Sequence, residues 1–156
     1  MKKIFTMFVL SMFVLSSVAL VSAFHNRQMS YNLKVFEKDD DWNIVKHGAK
    51  GNVLFTKGDR VHSIVRHLNP YTDYTLIYYG DATHNDEWAY ATCITSKTTN
   101  KRGNARMPKG SFDYSGFVDD GIGQKFWIVL SSDVDCSQGI MTNWEPQEYL
   151  FEHNVI

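Results

Sequence analysis

The sequence predicts an all-β domain of two packed antiparallel sheets, and three observations carry that reading. Short runs rich in β-branched and aromatic residues recur along the chain, and turn residues bound them at hairpin spacing. No window of helical length carries apolar residues at three-and-four spacing. Eight or nine strands are expected, and that number with hairpin-sized gaps closes into a sandwich, less often into a barrel.

The first strand, residues 31–37, sets Tyr31, Leu33 and Val35 on one face. Residues 42–45 and 52–56 follow, separated by the turn-forming Gly48 and Gly51. Residues 61–68, 74–79, 88–95, a run near 104–112, 125–131 and 148–152 complete the set. Within 125–131, Phe126, Ile128 and Leu130 alternate toward the core, and Trp144, Glu145 and Pro146 turn the chain into the last strand.

Ahead of these strands, residues 1–23 read as a secretory signal peptide: Lys2 and Lys3, an apolar run over 4–15, and Val21-Ser22-Ala23 as an A-x-A-like cleavage site. The alternative is an uncleaved anchor, but a spanning helix needs about 20 strongly apolar residues and this run turns to small residues sooner. Cleavage after Ala23 leaves residues 24–156 as one domain, secreted or associated with the cell envelope. Export removes intracellular cofactor enzymes from contention and sets oxidising conditions for the cysteines. No membrane span is expected after cleavage.

Loss of Lys2 and Lys3 leaves 14 basic against 17 acidic residues, a net charge of −3, which argues against general nucleic-acid binding. Five basic residues, Lys97, Lys101, Arg102, Arg106 and Lys109, nevertheless fall between positions 88 and 110 with no acid among them. Lys97, Lys101, Arg102 and Arg106 form a candidate anion contact, set against the plainer reading of a solvated hairpin.

The stretch from Leu68 to Tyr78 has the L-x-P-x-T-x-Y form in Leu68, Pro70, Thr72 and Tyr74. It resembles the tyrosine corner of fibronectin type III domains, where proline stiffens the crossover between sheets and the tyrosine hydroxyl returns to the backbone upstream. The resemblance implies an immunoglobulin-like β-sandwich. Residues 125–136 and 144–152, with Gly48-Ala49-Lys50-Gly51 and 74–79, resemble an uncharacterised family of secreted prokaryotic proteins, many from methanogenic archaea. That likeness implies a secreted β-sandwich and brings no activity, ligand or catalytic residue with it.

Cys93 and Cys136 are the two cysteines, and in an exported chain one disulfide is the economical reading; metal ligation or free thiols are the alternatives. Cys136 and Met141 suggest a blue-copper loop, but no imidazole stands between them and the next histidine is His153. The six histidines show no ligand spacing. His25 would bind square-planar Cu(II) or Ni(II) only if cleavage followed Ser22.

Acidic loops are the stronger metal candidates: Asp39 to Asp41, Asp81 with Asp86 and Glu87, Asp119 with Asp120, and Asp133 with Asp135. Two such loops meeting could supply calcium with six to eight oxygens, although no D-x-D-x-D-G frame is present and solvated loops are the simpler reading. No nucleophile elbow, zincin motif, Walker loop or dinucleotide-binding fingerprint occurs, so no catalytic residue is assigned.

Four tryptophans, eight tyrosines and seven phenylalanines remain after residue 23. Neighbours such as Tyr78 and Tyr79, or Phe126 and Trp127, face opposite sides of a strand, so some rings reach the surface unless the outer faces are covered. Exposed rings suit a sugar face or a protein partner. The reading is therefore a non-catalytic binding or structural module at or outside the cell surface, with a cell-surface protein or glycan as partner. A carbohydrate-binding or calcium-assisted module is the alternative, and a hydrolase or copper protein the remaining one.

Overall fold

Two antiparallel sheets and a small hairpin organise the described residues, 32–56, 58–80, 90–112 and 125–152 of a computed structural model. The first sheet has β1 (Asn32–Phe36), β2 (Lys50–Thr56) and β3 (Arg60–Arg66) as its body. Two-residue strands β6 (Ala105–Arg106) and β7 (Gly110–Ser111) pair with β3 at one edge. The second sheet sets β4 (Asp73–Gly80) between β5 (Tyr90–Thr98) and β8 (Lys125–Leu130). A hairpin of β9 (Val134–Asp135) and β10 (Ile140–Met141) and a final strand β11 (Phe151–Glu152) follow. No described helix is long and apolar enough to cross a membrane. The signal segment, 1–23, lies outside the described residues.

Period-two alternation builds the core. Val35, Val53, Val61 and Val65 from the first sheet meet Leu76, Tyr78, Phe126 and Ile128 from the second in one buried cluster. Each fully buried aliphatic side chain contributes roughly 1.5–3 kcal/mol. The layers are joined at one side by the C-terminal strand. Leu150 exchanges both backbone hydrogen bonds with Ile128 of β8, at 2.9 and 3.0 Å, while Phe151 and Glu152 pair with Phe36 and Val35 of β1. The sandwich is thus hydrogen-bonded through along this seam.

β8 buries both its faces. Phe126 and Ile128 enter the inter-sheet core, whereas Trp127 and Val129 join Ile77, Ala91, Val134, Tyr149 and Phe151 in a second cluster. That outer face is covered by the segment following β8. A disulfide between Cys93 on β5 and Cys136 beside β9 fastens the cover, with Cα atoms 5.5 Å apart.

Three expectations are corrected. Residues 42–45 do not form a strand: the Asp39 carboxylate accepts from the backbone N–H groups of Asp41 and Asn43, at 3.1 and 2.8 Å, and this local turn outcompetes ladder pairing. Residues 104–112 split into β6 and β7, with Pro108, which has no N–H to donate, between them. Residues 148–152 yield only the two-residue β11, because Pro146 opens a 3₁₀ turn over Pro146–Glu148.

The chain crosses from β3 to β4 through the segment 67–72. Leu68 and Tyr74 are buried, the Tyr74 hydroxyl lies 3.4 Å from Asn69 N, which donates to it, and Thr72 Oγ1 donates to Pro70 O at 3.1 Å. Burial raises the Tyr74 pKa against the Asn69 bond. Gly103 packs under this crossover at φ 69°, and a Cβ there would stand 1.8 Å from Leu68 O, so only glycine fits.

Candidate functional site

The turn that replaces the expected strand presents Trp42. Asp39 N donates to Asn43 O at 3.0 Å and Trp42 N to Asp39 O at 2.9 Å, and Lys38 bridges Ile44 across the base of the loop. Trp42 adopts φ 61°, a left-handed conformation uncommon for a bulky residue. The result is an indole 42% exposed whose ring lies 5.1 Å from that of the fully buried Phe151.

Trp144, 47% exposed, lies between β10 and the 3₁₀ turn. Its ring contacts Trp127 and Tyr149, both at 5.6 Å, and Phe151 at 6.1 Å. Tyr149 anchors this wall. Its hydroxyl donates to Asp133 Oδ2 and accepts from Glu145 N at 3.0 Å. Burial first, and then the bond to Asp133, push its pKa well above the usual tyrosine value.

Trp42, Trp144 and Phe151 all line a cleft of about 130 Å³. Asp39, Asp40 and Gln147 are exposed at its rim, and Pro146 and the buried Lys38 complete the lining. Gln147 Nε2 donates to Asp40 Oδ1 at 2.5 Å, tying the two walls together. Apolar flanks with a few placed polar groups are the usual make-up of a small-ligand site.

Next to Phe151 on β11, Glu152, paired with the core-facing Val35, accepts from Phe126 N. Its Oε2 and the Trp127 Nε1 are buried without a hydrogen-bond partner. Burial raises the Glu152 pKa to about 7, only partly offset by its backbone hydrogen bonds and the Lys125 ammonium.

The other candidates disperse. Asp133 is buried and occupied by Tyr149 and Ser132. Asp135 Oδ1 accepts from Ser137 Oγ, Ser137 N and Gln138 N at 2.6, 2.8 and 3.1 Å, bonds that hold its pKa below the usual range and shape the hairpin turn. Asp81, Asp86, Glu87, Asp119, Asp120, His25 and His153 lie outside the described residues. Among those described, no three His, Cys, Asp or Glu side chains converge on a metal position. Cys136 is bonded to Cys93 rather than placed beside Met141 as a ligand.

The basic run is spread over both sheets and the turn that connects them. Lys97 is on β5 of the second sheet, Lys101 and Arg102 occupy the turn before β6, and Arg106 lies on β6 against β3. No family model, curated protein or solved structure matches this chain. Sequence reasoning counted Trp42 and Trp144 but could not pair them. The available signal was their setting, an Asp-rich turn for one and a tryptophan two residues before a proline for the other.

Proposed function

We propose that this protein is a non-catalytic binding module acting at or outside the cell surface, and that the Trp42–Trp144 cleft receives a sugar residue of a glycan. One observation carries the reading: two half-exposed indoles line a small cleft whose exposed rim holds the Asp39 and Asp40 carboxylates and the Gln147 amide. Indole faces accept the apolar C–H face of a pyranose, and rim groups hydrogen-bond its hydroxyls. Export follows from the leader-like residues 1–23 and accords with the disulfide.

The Asp39 carboxylate accepts from backbone N–H groups of its own turn and Asp40 from Gln147, which holds the rim groups in place for a ligand. A glycan array followed by calorimetry on the best neutral oligosaccharide tests the proposal. Trp42→Ala and Trp144→Ala should each weaken binding about tenfold or more, as truncation of a central aromatic contact does. Absence of saturable binding to any glycan, or unchanged affinity in both variants, would refute it.

A further inference from the structure

The outward face of the first sheet collects cations from four strands. Val35, Gly51 and Val65 share a row directed into the core, so the adjacent row of Phe36, Lys50 and Arg66 is directed outward. The next outward row runs Lys34, Asn52, Ile64 and Arg106 across β1, β2, β3 and β6. Arg60 follows further along β3, and Lys109 lies close enough to His62 to act on it electrostatically. These six side chains are exposed, and none has an ion pair with a described residue. No acidic residue occupies an outward strand position on this face.

Two features of the face are unfavourable for the isolated chain. Lys50 and Arg66 stand directly opposite each other on β2 and β3, a like-charge pairing that destabilises a sheet. His62, opposite Leu54 on the same face, is only 7% exposed and its Nδ1 has no partner. Burial lowers its pKa, and Arg106 and Lys109 lower it further, so the ring sits in a positive field. An anionic ligand relieves the repulsion and offers acceptors to the Lys50 and Arg66 donors.

We propose that this face docks a linear acidic polysaccharide, a function separate from the aromatic cleft. Neighbouring strands are about 4.8 Å apart and alternate residues about 6.8 Å, so the cations form a spread grid rather than a pocket for one anion. Such a grid fits a polymer with repeated charges. Asn32 and Asn52 stand among the cations and supply amides for hydroxyl groups. Phe36 is the one Phe, Tyr or Trp in the outward rows of β1–β3 and is half-buried, and the exposed large apolar residues, Trp42, Tyr71, Tyr90, Ile140 and Trp144, lie on other elements. The face therefore has no run of exposed rings on which bases could stack and no fully exposed apolar side chain to insert into a bilayer.

Calorimetry of the disulfide-bonded protein with polygalacturonate oligomers is the test, with neutral dextran as control. Lys50→Glu combined with Arg66→Glu should weaken binding at least tenfold. Lys97→Glu combined with Lys101→Glu, the same charge change off the face, should alter it less than about twofold. Equal losses in both pairs, equal binding of dextran, or preference for anionic vesicles or single-stranded DNA over the polysaccharide would overturn the proposal. If the Lys50/Arg66 variant does not fold, amide shifts in the wild-type protein decide. Perturbation confined to β1–β3 and β6 supports the face, and perturbation elsewhere or none rejects it.

Discussion

Replacing Glu152 by glutamine should abolish most of the pH dependence of stability between pH 4.5 and 7. The carboxyl titrates near 7 in the folded protein, against 4.5 for an unperturbed glutamate, because burial opposes the charged form. Below pH 4.5 both folded and unfolded chains hold the proton and the group is neutral in its effect. As pH rises from 4.5 to 7 the unfolded chain releases the proton while the folded one retains it, so stability falls, and above 7 the loss is complete. A difference of about 2.5 pH units corresponds to about 3 kcal/mol at 1.36 kcal/mol per unit. The substituted amide keeps an oxygen for Phe126 N and removes the charge. The Glu152→Gln variant should therefore match wild type at pH 4 and exceed it by up to about 3 kcal/mol at pH 8, roughly 10 °C in melting temperature for a domain of this size. Urea denaturation followed by tryptophan fluorescence at pH 4, 6 and 8 measures both curves. Parallel curves, or a variant less stable at pH 8, would refute the argument that a buried, only partly compensated charge sits on β11.

Two further outcomes are expected. Removing the cross-link with Cys93→Ala and Cys136→Ala should cost about 4 kcal/mol, the chain-entropy value for a separation of 43 residues, read as a lower urea midpoint. Because the bond fastens the segment over the Trp127 face, amide exchange should rise first in 131–149, and uniform acceleration across both sheets would contradict that order. Tyr149→Phe leaves Asp133 Oδ2 without its donor in a buried setting and should cost about 1–3 kcal/mol in the same assay.

Strands and their facing were legible in the chain alone. Val35, Val53, Val65, Leu76, Phe126 and Ile128 lie inward because alternation is a property of each strand, readable without knowing its neighbours. Two cysteines in a chain read as exported likewise leave a single intramolecular pairing, Cys93 with Cys136. The turn at Asp39 was within reach as a side-chain competition for backbone amides, yet the β-type residues Trp42, Ile44 and Val45 pointed the other way.

Which faces meet was settled by the packed fold. Period-two spacing places Trp127 and Phe126 on opposite sides of β8, but burial of Trp127 depends on the segment that folds back over it. In the same way, Trp42 joins Trp144, and Lys34, Lys50, Arg66 and Arg106 share one surface, through strand order and register rather than chain proximity. A local pattern specifies the side of its own strand. Pairing between distant strands is fixed by the global packing of the core, which no local window contains.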